Sequence, residues 1–317
     1  MAFYNVENLF DTIVDPDTNR ILQEDFTPKG PKNWTSEKYF RKLDNIARVI
    51  SDIGTELVPT GPAILGVSEV ENKLVLEDLV KRPAIASRNY QIVHFQSQDE
   101  RGVDVAFLYQ PSRFKLISAN HYPILLDEHD RTRDLVVMCG LLDGEKMYFM
   151  VDHWPSRGGG QKKSQPKRDS VASHDRSIID SILAIEPDAK IIFMGDLNDD
   201  PIDESVTTFL NANGKLKKLK EGQLYNPMAE KYKKGIGTLG YNGTWNLFDQ
   251  IILTQSFLGD DKSTYKFHKA LVYNKKYLIQ ESGYYKGYPF RSFSGNDFIG
   301  GYSDHFPSYI YIIKENK

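Results

Sequence analysis

The sequence predicts a layered α/β fold with sizeable β-sheets, on three observations. Short apolar runs bounded by Gly, Pro, Asn or Asp recur along the chain, as buried strands do. Only two long segments carry helical period. No internal repeat or low-complexity linker interrupts the 317 residues, so one domain spanning 1–317 is expected. Many strands with few intervening helices bury their apolar faces only in packed layers.

Taken in order, the chain opens on a strand, Met1-Ala2-Phe3-Tyr4-Asn5-Val6, with no polar leader before it. A chain relieved of a signal peptide starts this way, which motivates an expectation of secretion or periplasmic export, with a cytoplasmic location as the alternative. Over 36–53, Phe40, Leu43, Ile46, Ala47, Ile50 and Ile53 share one stripe and Gly54 ends it, predicting a helix. Strands are expected over 63–67, 104–109, 135–138 and 147–151. A loop at Gly158-Gly159-Gly160 and a basic run lead to a second helix over 168–185, stopped before Pro187. Strands follow over 190–194, 248–253 and 309–313. The lysine-rich stretches 215–220 and 231–234 read as solvated surface.

Composition excludes several classes. The chain is 40% hydrophobic and 26% charged, an ordinary globular balance. Its net charge of −3 supplies no global basic field, so any polyanion must be held by local patches. A single cysteine, Cys139 in an apolar stretch, permits neither an internal disulfide nor a cysteine-rich zinc site. No run of about 18 apolar residues occurs, which rules out a membrane-spanning helix.

The chemistry-bearing side chains fall at predicted strand ends. Asn5 follows the first strand, Glu69 the strand at 63–67, and His153 the strand at 147–151. Asp196 and Asn198 follow 190–194, Asp249 opens 248–253, and Asp304 and His305 precede the last strand. In an open α/β sheet such groups converge on one edge. Each alone has a plain structural reading, as turn, helix cap or satisfied histidine. Their joint occurrence points to one site.

Six segments carry a resemblance. Asn5-Val6-Glu7-Asn8, Ser68-Glu69-Val70-Glu71-Asn72, Asp152-His153-Trp154-Pro155-Ser156-Arg157, Gly195-Asp196-Leu197-Asn198, Phe248-Asp249-Gln250-Ile251 and Ser303-Asp304-His305-Phe306-Pro307 resemble the successive signatures of the endonuclease/exonuclease/phosphatase (deoxyribonuclease I-like) superfamily. The resemblance implies a four-layer sandwich of two packed mixed β-sheets flanked by helices. It implies metal ligation by Glu69, Asn5 and Asp304, and a general base, His305, held by Asp249. Asp196 and Asn198 would lie at the attacked phosphorus, His153 would donate to the phosphate, and Arg133 would contact the scissile phosphate. Asp104 is aligned as an orienter of His153.

The expected reaction is hydrolysis of a phosphate ester by directly attacking water. A hard dication on few carboxylates suits Mg2+ or Mn2+. At about 4 Å from a phosphate oxygen it contributes roughly 4 kcal/mol at an effective dielectric near 20. Zinc is the competing ion, but the chain has no His-x-x-x-His and no close cysteine pair. His153-Trp154-Pro155-Ser156-Arg157 with Lys162, Lys163, Lys167 and Arg168 reads as a basic loop that grips a polyanionic backbone, with Arg157 binding substrate and Trp154 available for packing or stacking. A nuclease of little sequence preference is the first expectation, with nucleic acid as substrate and no stable protein partner implied. The alternatives are a phosphatase or sphingomyelinase-like phospholipase, with Tyr284, Tyr285, Tyr288 and Phe290 meeting lipid, and a non-catalytic binding module.

Overall fold

The structure is a computed structural model and describes residues 1–14, 21–22, 24–127 and 130–315. Thirteen strands build its two large sheets. They are β1 (Ala2–Leu9), β2 (Ile64–Val70), β3 (Gln91–His94), β4 (Asp104–Tyr109), β5 (Phe114–Tyr122), β6 (Leu135–Leu142) and β7 (Glu145–His153). The remainder are β8 (Ile191–Asp196), β9 (Ala212–Asn213), β10 (Leu224–Tyr225), β11 (Asp249–Leu253), β12 (Lys266–Val272) and β13 (Ser308–Ile313). Helices are α1 (Ser36–Asp52), α2 (Lys73–Val80), α3 (Gln161–Ile185) and α4 (Met228–Lys233).

One sheet runs β12-β13-β1-β2-β4-β3 and the other β9-β10-β11-β8-β7-β6-β5. Both are mixed: β1 and β2 pair parallel, as do β7 and β8, while their outer neighbours are antiparallel. The sheets face each other across Phe3, Ile64, Phe107, Phe149, Val151, Met194 and Ile251. Leu43, Ile46 and Ile50 of α1 and Leu76 and Leu79 of α2 cover the first sheet. Val171, Ala172 and Ile179 of α3 cover the second, against Ile191 and Phe193. Four layers result, because each central strand is apolar on both faces and needs cover on both.

The expected strands all form, but β1 and β2 run further than the apolar runs that announced them. Asn5 and Glu69 therefore lie within their strands rather than beyond them. Pairing shifts register between Asn5 and Leu9 and between Ser68 and Val70, where Glu7, Asn8 and Glu69 have φ of 53°, 48° and 63°. These bulges re-aim polar side chains at the sheet edge. α3 also begins earlier than its apolar stripe: it starts at Gln161 after Gly160 (φ 107°) and takes in Pro166, so the expected basic loop is largely helix. A proline this near the helix start forgoes one backbone bond, a cost the packing of α3 absorbs.

Candidate active site

The register of the second sheet sets out the site. His153 at the end of β7 pairs with Asp196 at the end of β8, and Asp196 pairs with Asp249 at the start of β11. Three of the expected site residues thus stand in one row across three strands. The first sheet presents Asn5 opposite, and its Nδ2 donates to Asp196 Oδ2 at 2.9 Å. The turn before β13 adds His305, which lies 3.7 Å from Asp196 Oδ2 through Nε2, while His153 Nε2 lies 3.6 Å from the same oxygen.

His305 is tightly fixed. Its Nδ1 meets Asp249 Oδ2 at 2.7 Å, and its backbone N–H donates to Ser303 Oγ, which itself donates to the Asn5 carbonyl. Burial opposes charge on this imidazole, yet Asp249, Asp196 and Asp304 outweigh it and hold its pKa well above the ordinary histidine value. His153 goes the other way: burial, then the nearby Arg133 and Arg101, hold it well below, so it is neutral. Burial raises the Asp196 carboxyl to about 6, against the pull of His305. The two histidines therefore take opposite charge states around one carboxylate.

Asn198 sits in the left-handed region at φ 49°, its backbone N–H on Asp196 Oδ1 and its Nδ2 on the Trp154 carbonyl. Glu69 accepts from the Asn8 backbone through Oε2 at 2.9 Å and from the Arg101 guanidinium through Oε1 at 3.3 Å. Burial favours its neutral form, but Arg101 and His305 hold the carboxyl below its usual range. Asp304 accepts from Arg291 at 2.9 Å, and its Oδ1 is buried with no hydrogen-bond partner among the described residues.

Other expected site residues lie elsewhere or act differently. Arg133 is buried and spends its donors on the carbonyls of His153 and Trp154 and on Asp99, so it braces the histidine's backbone. Arg157 donates to the Asn198 carbonyl at 2.9 Å and to Asp203 at 2.8 Å, which ties the Asn198 turn to the loop after it. Asp104 bonds His94, Gln96 and Ser97, and His153 Nδ1 has no hydrogen-bond partner among the described residues. Of the two readings of Trp154, packing holds and stacking on substrate does not: it is fully buried and its Nε1 donates to Asp175. Arg168 is likewise buried, against Asp199 at 2.7 Å. Of the aromatics considered for lipid, Tyr284 is exposed, whereas Tyr285 lies under Arg291 and Tyr288 packs on Trp245.

The sequence reading missed the basic partners. Arg101 and Arg291 each answer one of the two expected metal-ligand carboxylates. Glu7 is buried, accepts from the Ser292 backbone at 2.6 Å, and shares its surroundings with buried Lys42. Glu7 belongs to the quoted Asn-Val-Glu-Asn segment, so its place was visible; the arginines carried no such mark.

Two facing mixed sheets with an acid–imidazole site at one edge define a class of layered hydrolases. Within it, a model of the Endonuclease/Exonuclease/phosphatase family matches residues 1–314, and the chain belongs to that family. Its scaffold is one for hydrolysis of phosphoester bonds. Among solved structures, truncated TDP2 of Caenorhabditis elegans is similar at 18% identity and TM-score 0.56, over 86% of this chain and 90% of that one. A Bacteroides thetaiotaomicron protein of the same family is similar at 15% identity and TM-score 0.58, over 100% and 98%. A mannosyl-6-phosphatase from that bacterium is similar at 15% identity and TM-score 0.56, over 98% of each chain. No curated protein matches the chain by sequence. Among the described residues no helix is long and apolar enough to cross a membrane.

Proposed function

We propose that the chain is a single metal-dependent catalytic domain, a phosphodiesterase acting as a nuclease with little sequence preference. The observation that carries this reading is the His153–Asp196–Asp249 row with His305 bonded to Asp249 at 2.7 Å. Asp196, Asp249 and His305 offer buried ligand atoms within 4.8 Å of one another, a group able to hold a metal. We assign it instead to proton handling, because His305 Nδ1 is already committed to Asp249. We propose that the ion is held beside it, by Asn5, Glu69 and Asp304. Asp304 Oδ1 is a buried oxygen with no hydrogen-bond partner among the described residues, 4.0 Å from His305 Nε2; Glu69 is an ionised carboxylate, and Asn5 Oδ1, though accepting from Glu7 N–H, keeps a second lone pair. Bound to these hard oxygens, Mg2+ (or Mn2+) offsets the negative charge of the carboxylates and of the attacked phosphate.

The chain's own residues do the rest. With the carboxylate charge offset, His305 Nε2 takes the proton of the attacking water, and Asp249 stabilises the imidazolium that forms. Neutral His153 donates toward the phosphoryl oxygens. Asn198, with one N–H on the Trp154 carbonyl, keeps its other for the same task. Contacts to a phosphate backbone carry no base information, which accounts for low sequence preference.

Plasmid DNA, RNA, sphingomyelin, inositol phosphates and a hexose phosphate, each with Mg2+ and with chelator, test the reading. Metal-dependent nicking or degradation of nucleic acid that weakens steeply with salt is expected. Turnover confined to a small phosphomonoester would reject the nuclease assignment and leave a phosphatase.

A further inference from the structure

Next to the site lies a 430 Å³ cavity whose lining includes Arg101, Arg131, Arg133, Lys163 and Lys167. Its acids are Asp99, Glu100 and Asp130. Two of these are already used. Asp99 takes Arg133 at 2.9 Å and lies 3.9 Å from Arg101, and Asp130 pairs with Lys167. Arg131 and Lys163 are exposed and hold no ion pair among the described residues, and against the one remaining acid, Glu100, whose Oε1 accepts from the Arg131 backbone N–H, they leave the cavity a positive balance.

Its position ties it to catalysis. Arg101 lines the cavity and reaches Glu69 at 3.3 Å; Arg133 lines it and holds the His153 carbonyl. Arg101 and Arg133 thus join the cavity lining to Glu69 and to the His153 backbone. The walls are α3, which gives Lys163 and Lys167, and the short ribbon Leu125–Asp127/Asp130–Arg131. The Lys167–Asp130 pair joins them. A phosphate that ends inside the cavity leaves that pair intact.

Resting on the function proposed above, we infer that this cavity receives a second, terminal phosphate of the substrate while the scissile ester lies at Asp196. Arg131 and Lys163 are its free cations, and a guanidinium with an ammonium suits a phosphate dianion. The terminal phosphate is that of an oligonucleotide end or of a small bisphosphate.

Two substrate pairs test this: a short oligonucleotide with and without terminal phosphates, and a sugar bisphosphate against the sugar monophosphate. In the wild-type chain with Mg2+, the added phosphate should raise kcat/KM about 10- to 100-fold in one pair, and that pair names the source. The double variant Arg131→Ala/Lys163→Ala should bring the ratio near one. Both side chains are exposed, so an unchanged melting temperature is the folding control. Ratios near one in both pairs, or a preference that survives the double substitution, overturn the inference while leaving the hydrolase reading intact. Absence of all turnover would remove the hydrolase reading. Calorimetric binding of the same four compounds then decides the subsite. Binding at least 10-fold tighter with the added phosphate, lost in the double variant, supports it, and equal binding overturns it.

Discussion

The carboxylate of Asp196 meets Asn5 from one sheet and faces both His153 and His305. Sequence alone marked these residues, because each stood after or before an apolar run. It could not mark what each one touches, since partners come from the opposite sheet or from loops far along the chain. Asp104 shows the difference: the resemblance to the family implied His153 as its partner, yet the fold gives it His94. His305→Ala should lower the rate of phosphodiester hydrolysis roughly 10²–10⁴-fold in a chain that circular dichroism shows still folded, and near-full turnover would contradict its role. A second effect sits behind His153. Burial raises the Asp152 carboxyl well above its ordinary value and the neighbouring Asp175 carboxyl to about 7. The fold keeps a proton there that the unfolded chain releases near pH 4, so stability is greatest below that value and declines as pH rises through about 7. Asp175→Asn keeps an acceptor for Trp154 and needs no proton. It should remove a slope of up to about 1.4 kcal/mol per pH unit from denaturant-unfolding free energies between pH 4 and 7. An unaltered slope would show that this pair does not titrate as described.

Elements differ in how plainly they were written. The central strands β4, β8 and β11 are buried on both faces and appear as short apolar runs. Outer strands β3, β5 and β12 mix exposed with buried positions, and their sequences carried no such run. The start of α3 was hidden by its polar first two turns and Pro166. The bulges in β1 and β2 were invisible for a different reason: they are set by pairing, and no glycine announces the positive φ of Glu69. Alignment of β7 with β8 is the element on which the proposed catalytic row depends. A Cβ at Gly195 would stand 2.3 Å from the Asp152 carbonyl oxygen, a backbone atom that cannot swing aside. Gly195→Ala should therefore cost about 1–3 kcal/mol in chemical denaturation. It should also reduce turnover, because Asp196 is the next residue. Wild-type stability together with wild-type rate would mean the strands slide apart without consequence, against the tight ladder described.

At the scale of the molecule, the two-sheet sandwich follows from the number of doubly buried strands, whereas the placement of charge does not follow from the total. A chain of net charge −3 gathers Glu69, Asp196, Asp249 and Asp304 about one edge and answers two of them with arginines. Gathering like charges costs stability unless a cation is bound, so ion binding and folding are linked. An ion that binds only the folded chain adds about 2.7 kcal/mol at one hundred times its dissociation constant. For a protein of this size that corresponds to a rise in melting temperature of about 3–8 °C. Mg2+ should produce this rise over NaCl of equal ionic strength, and excess chelator should reverse it. Glu69→Gln and Asp304→Asn should each diminish the rise. Arg291→Ala, which leaves Asp304 without its guanidinium, should sharpen the response at low Mg2+. The last variant separates a bound ion from general screening: screening would treat the loss of Arg291 as the loss of any cation. A rise equal in the wild type and in Asp304→Asn would place the ion elsewhere, and with it the source of the charge that frees His305 to act as a base.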